Sequence, residues 1–210
     1  SINSNIYTKN IHINNNIFSL QYNNIFIEQL QNIYSNNYNT ILDVIDIQDK
    51  LARACKSLIL REPFYGLFLI GLNKKIRKDV PTAGVSKNGI GIQLSINPDF
   101  FMGLPDEHQI GLLKHELLHV SFGHLMMRDS YPNKKLFNIA ADLEINQYID
   151  RNMLPEGGLT LDSFAELKLP KKAGTKKYYD LLEQECKDNP CQSLQSILDQ
   201  MDGDSQYDHK

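Results

Sequence analysis

No stretch of this chain is apolar for long enough to cross a bilayer, and no basic segment leading into an apolar run with a small-residue cleavage site stands at its start. Both absences predict a soluble, cytoplasmic protein with no membrane role. An excess of charge is missing too. The 22 Lys and Arg against 25 Asp and Glu leave a net charge of -3 and a pI near 6.1, which removes any general attraction to nucleic acid or anionic lipid. Cysteine is scarce: Cys55, Cys186 and Cys191 are odd in number and build no disulfide framework, so a reducing compartment is favoured. No internal repeat is evident. What is present is 210 residues, about one domain's worth, enough to bury a core without staples.

Residues 1–40 are dense in Asn and Ile and carry no functional signal; Ile11–Ile13 and Ile25–Ile27 alternate weakly, as short strands or an irregular wrap would. The domain proper is expected over 41–201, and the polar residues 202–210 read as a tail or the start of a linker into further sequence. Helical spacing of apolar residues runs through Gln48–Arg61, with Cys55 in the core and Pro63 as the stop. Tyr65–Leu72 is a short apolar run bounded by turn formers and predicts a buried strand. The basic patch Lys74, Lys75, Arg77 and Lys78 has no interleaved aromatics and reads as a solvated loop, not a nucleic-acid site. Ile90, Ile92, Leu94 and Ile96 alternate as a half-buried strand, ended by a turn at Asn97–Asp99. Such a strand could hold an extended peptide along its edge. Phe100, Phe101 and Met102 follow as core or as the floor of a site.

The chemistry is concentrated in Gly111–Asp129, which contains His-Glu-x-x-His. On a helix, His115 and His119 share one face with Cβ atoms about 5–6 Å apart, close enough for two ring nitrogens to meet one ion. Glu116 stands beside that ion as a general base. Catalytic zinc takes three protein ligands and leaves a fourth position to a water whose pKa falls to about 7. The helix is apolar nearly all round, so two histidines and a glutamate inside it would be costly without a partner, which a metal supplies. His108 lies roughly 10 Å along the axis from His115 and cannot share the ion.

A third ligand must come from another element. The downstream candidates are His124, Asp129, Asp142 and Glu144. In a continuous helix His124 faces away from His115, and only a break at Gly123 would bring it round; it reads as a supporting or core residue. Asp142 and Glu144 share the apolar helix predicted over Lys134–Asn152, and at about 200° apart they cannot face the same ion. Asp142 has Asn146 one turn on, able to hydrogen-bond a ligating histidine or the carboxylate. Ala140 and Ala141 would let another helix come close. Thr175–Glu185 and Cys191–Met201 predict two further helices.

Pro-Thr-Ala-Gly-Val-Ser (81–86), Ile-Asn-Pro-Asp-Phe-Phe (96–101), His-Glu-Leu-Leu-His with the following Gly-His (123–124) and Arg128, and Asn-Ile-Ala-Ala-Asp-Leu-Glu-Ile-Asn (138–146) occur in an order that resembles a known family. It is the zincin-type metallopeptidase domain that precedes von Willebrand factor A-like domains in bacterial and phage proteins. The likeness continues more weakly through 155–159 and 177–182. It implies an α+β, zincin-like fold with a small mixed sheet packed on the His-Glu-x-x-His helix and further helices after it. His115, His119 and Asp142 would fall at the metal positions. The expected function is a zinc-dependent metallopeptidase in which Glu116 moves the proton; the alternative is a non-catalytic binding module for a von Willebrand factor A-like domain or an AAA+ ATPase. Phe122 and Leu125 stand where metzincins carry Gly and His, which excludes that branch. Arg128, His124, Tyr178 and Tyr179 are the candidates for stabilising an oxyanion.

Overall fold

A computed structural model of the chain describes residues 38–188 and 192–204. The Asn-rich opening with its two weak alternations lies outside those residues, as do 205–210. The chain divides into compact units Ser1–Asp46 and Ile47–Lys210, the second holding the sheet and the helices that follow it.

Helix α1 spans Tyr38–Arg61, and Ile47, Leu51, Ala54, Cys55 and Leu58 form its buried stripe. Where a strand is expected, the chain forms a second helix, α2, Pro63–Ile70. Pro63 at the first helical position has the φ a helix needs and lacks only an N–H that would have no partner there. A short apolar run carries too little periodicity to separate the two alternatives.

Three strands follow, β1 (Asn73–Ile76), β2 (Ala83–Asn88) and β3 (Gly91–Ile96), in the order β1-β3-β2. β1 runs parallel to β3 and β2 antiparallel, with Ile96 opposite both Ile76 and Ala83, so the sheet is mixed. β1 occupies the basic patch expected to be a loop. Its Lys74 Nζ donates to the carbonyls of Leu69 (2.7 Å) and Leu72 (3.1 Å), closing the end of α2. Arg77 pairs with Asp79, and Lys78 with Asp99. β3 begins at Gly91, because Ile90 sits in the turn and is fully exposed. Leu94 and Ile96 are fully buried. Both sides of β3 are paired, so it offers no open edge to a peptide, and the outer edges belong to β1 and β2.

The turn expected at Asn97–Asp99 opens a short helix, α3 (Pro98–Gly103): Asn97 Oδ1 accepts from the N–H groups of Asp99 (2.9 Å) and Phe100 (3.2 Å). Phe101 is fully buried and packs the core. Helix α4 (Asp106–Ser121) follows Pro105, with Asp106 and Glu107 at its positive end. Gly123, at φ +74°, separates it from the short α5 (His124–Met127). Asn133 caps α6 (Lys134–Ile145), and a single 3-10 turn, Asn146–Tyr148, ends that helix earlier than its apolar spacing predicts. Helices α7 (Thr175–Asp188) and α8 (Gln192–Asp204) complete the described residues.

The architecture is α+β. One core joins α1, α2, β3 and α4 through residues such as Leu58, Leu69, Ile96, Leu113 and Leu117. A second joins α6, α7 and α8 through Phe137, Ile139, Leu143, Tyr178, Leu182 and Leu194. Helices α4 and α6 pack against each other, and α6 contributes Ile145 to the first core and Phe137, Ile139 and Leu143 to the second. Among the described residues no helix is long and apolar enough to cross a membrane.

Candidate metal centre

The four-residue spacing on α4 brings His115 and His119 edge to face, ring centroids 4.6 Å apart, with their Nε2 atoms 3.0 Å from each other. Gly111 seats this helix: a Cβ there would lie 1.8 Å from the carbonyl oxygen of Met153, so only glycine permits the approach. Across from it, buried Ala140 and Ala141 keep α6 slim, and the helix carries Asp142 to the same point. Asp142 Oδ1 stands 3.2 Å from His119 Nε2 and 3.6 Å from His115 Nε2. A tetrahedral ion with bonds of about 2.0–2.1 Å separates its ligand atoms by about 3.3 Å. The triangle therefore has the size of one face of a zinc coordination shell.

Electrostatics favour a cation at that face. Burial opposes charge on His119, but the hydrogen bond to Asp142 and the charges of Asp142 and Glu116 outweigh it, so the pKa of the ring is raised. Burial likewise pushes Asp142 up, and the hydrogen bond from His119 with the charge of the nearby rings overcomes it, leaving the carboxyl below its ordinary value. On the far side of His115, Asn146 is 6% exposed. Its Nδ2 donates to the carbonyl of Leu159 (2.8 Å), which turns Oδ1 toward His115 Nδ1 at 2.8 Å. An amide oxygen only accepts, so Nδ1 carries the proton and a neutral His115 presents an Nε2 lone pair to the triangle. This is the service that the one-turn spacing of Asp142 and Asn146 predicts. His115, His119 and Asp142 form the one cluster of three or more His, Cys, Asp or Glu able to hold a metal ion among the described residues.

Residues 46–205 match the family described as "Putative metallopeptidase domain". The chain belongs to this family. No curated protein and no solved structure matches it.

In this metallopeptidase-family domain, Glu116 is 5% exposed and makes no hydrogen bond or ion pair with any described residue. No fully buried side-chain oxygen or nitrogen among the described residues lacks a partner, so the partnerless Glu116 carboxylate oxygens are not fully shut off from solvent. His124 is brought round by the break at Gly123, as a regular helix would not allow. It stops short of the triangle, with Nδ1 2.9 Å from His119 Nδ1 and Nε2 2.9 Å from Thr175 Oγ1. Burial, then the neighbouring His119, depress its pKa to about 4 against the pull of Glu144, so it is neutral at neutral pH.

Glu144, which has no companion that sequence spacing reveals, accepts from both the N–H and the hydroxyl of Thr175. Asp129 points elsewhere, its carboxylate exposed and 3.9 Å from Lys87. Tyr178 is fully buried and donates to the carbonyl of Pro170 (2.7 Å), while Tyr179 accepts from the N–H of Asn133 (3.2 Å) and lines a separate surface hollow with Tyr131. Neither tyrosine hydroxyl is held at the triangle.

Proposed function

We propose that this chain is a zinc-dependent metallopeptidase of zincin-like fold that hydrolyses peptide bonds, with His115, His119 and Asp142 as the metal ligands and Glu116 as the general base. One observation carries the reading: two imidazole Nε2 atoms and a carboxylate oxygen converge to 3.0–3.6 Å of one another, spacing that suits three ligands of one ion. Two histidines and a carboxylate with a position left open form a donor set that suits catalytic zinc.

Zinc bound there would polarise a peptide carbonyl and lower the pKa of a water to about 7. Glu116 Oε takes the proton from the attacking water and returns it to the leaving nitrogen. An extended substrate pairs with the outer edge of β2, the strand packed against α4 and α5. The Glu116 carboxylate, which makes no hydrogen bond or ion pair with any described residue, favours catalysis over a binding module, which has no use for it. A peptide or protein is the substrate we propose. On the resemblance, a von Willebrand factor A-like domain or an AAA+ ATPase is the protein partner; the scarce, odd-numbered cysteines favour the cytoplasm as the location.

The test is cleavage of a broad library of unstructured peptides by zinc-loaded full chain beside Glu116→Gln at equal zinc content. Cleavage by the wild type alone is expected. Equal cleavage by both removes Glu116 from the mechanism, and zinc uptake with no cleavage of any peptide moves the protein to the binding-module reading.

A further inference from the structure

Behind His119 lies a buried row of polar side chains that the proposed reaction does not touch. His124, 3% exposed, stands between His119 and Thr175, the first residue of α7, and Thr175 in turn meets Glu144 of α6. The contacts are His119 Nδ1 to His124 Nδ1 at 2.9 Å, His124 Nε2 to Thr175 Oγ1 at 2.9 Å, the Thr175 hydroxyl to Glu144 Oε2, and the Thr175 N–H to Glu144 Oε2 at 2.7 Å.

With a metal ion held at the triangle, these contacts permit one consistent placement of protons. A carboxylate only accepts, so the Thr175 hydroxyl donates to Glu144 and its oxygen is left to accept from His124. His124 therefore carries its proton on Nε2. A neutral imidazole has one N–H, which makes His124 Nδ1 an acceptor. His119 Nδ1, facing it, must donate. With a metal ion in place of the proton that Nε2 otherwise shares with Asp142, the remaining nitrogen of His119 is a lone pair at the corner of the triangle with His115 Nε2 and Asp142 Oδ1. His115 reaches the same tautomer by a separate route, through Asn146 and the Leu159 carbonyl.

We propose that His124, Thr175 and Glu144 are positioning residues: a one-way row of hydrogen bonds, running from His119 to the Glu144 carboxylate, that holds His119 in the Nδ1–H tautomer and aims Nε2 at the metal. The left-handed Gly123 makes this possible by turning His124 back under His119. The row ties the start of α7 to the metal helix, so a change at Thr175 reaches the ligand through one intervening side chain, His124. The inference rests on the reading of His119 as a ligand and goes beyond it by naming what sets that ligand's proton.

The experiment is zinc affinity, measured by competition with a chromophoric chelator, for the full chain, Thr175→Val, Thr175→Ser and His119→Ala. Thr175→Val keeps the side-chain shape and removes the hydroxyl. It is expected to bind zinc about 10- to 100-fold more weakly, with Thr175→Ser restored to the wild-type range, a rescue that packing alone does not predict. Wild-type affinity in Thr175→Val overturns the inference while leaving the metal site standing. Should Thr175→Val fail to fold, long-range 15N–1H correlation spectra of the zinc-loaded wild type decide. Protons on His119 Nδ1 and His124 Nε2 support the row, and a proton on His124 Nδ1 overturns it. A wild type that takes up no zinc, or a His119→Ala variant that binds as tightly, removes the metal reading and this inference with it.

Discussion

Replacing Asn146 separates what that residue does for the fold from what it does for the metal. It is nearly buried and makes two hydrogen bonds of 2.8 Å, accepting from His115 Nδ1 and donating to the Leu159 carbonyl. Asn146→Leu strands a donor and an acceptor, each costing about 1–3 kcal/mol when buried without a partner, so the metal-free protein should lose roughly 2–6 kcal/mol in urea denaturation. The same change frees His115 to rotate and to take the wrong tautomer. Zinc binding should weaken about 10- to 100-fold, or about 1.4–2.7 kcal/mol. Asn146→Asp divides the two effects. Its carboxylate still accepts from His115, so zinc affinity should hold at or above the wild-type value. Facing the Leu159 carbonyl with an acceptor in place of a donor, it should still cost the metal-free fold about 1–3 kcal/mol. If Asn146→Leu binds zinc as tightly as the wild type, the argument that Asn146 sets the His115 tautomer is refuted. If Asn146→Asp loses as much affinity as Asn146→Leu, the acceptor is not what matters.

Gly111→Ala places a Cβ against the Met153 carbonyl oxygen and should lower stability by about 2–4 kcal/mol in a thermal melt, with a near-neutral result refuting the close approach. Lys114, 7% exposed, pairs with Glu62 at 2.7 Å beside the Tyr65 ring, so Glu62→Ala, which strands the buried ammonium, should destabilise by about 1–2 kcal/mol and more than Lys114→Met, which strands only the more exposed carboxylate. Burial lowers the Lys74 pKa from 10.5, so between its folded value and 10.5 the unfolded chain binds more protons and stability rises with pH. Denaturant midpoints of Lys74→Met measured across that alkaline window should lack this share of the rise; identical slopes would contradict it.

What could be read from the sequence was local. The pairing of His115 with His119, and of Asp142 with Asn146, needs only the helical repeat, and the structure brings His115, His119 and Asp142 together and sets Asn146 on His115. The alternation that marks β3 likewise needs only a period of two. Elements whose form depends on neighbours are not legible in the sequence. The run at Tyr65–Leu72 has apolar residues on every side, so only its packing and Pro63 distinguish helix from strand. β1 hid behind its lysines because pairing with β3, and not side-chain pattern, makes it a strand. His124 could not be placed without the φ of Gly123, and the partner of Glu144 is Thr175, 31 residues away, which no spacing rule connects. Glu144 on an apolar helix was the available sign that some partner existed.

The claim on which the rest depends is that two imidazoles and the Asp142 carboxylate share one metal ion. Zinc-edge X-ray absorption of the zinc-loaded full chain measures that ligand set directly. The expected result is about one zinc per chain with only nitrogen and oxygen neighbours at about 2.0–2.1 Å. Multiple scattering from two imidazoles is expected as well, with loss of one oxygen ligand or of the metal in Asp142→Ala. A third imidazole, a sulfur neighbour at about 2.3 Å, or an unchanged spectrum in Asp142→Ala would contradict the claim.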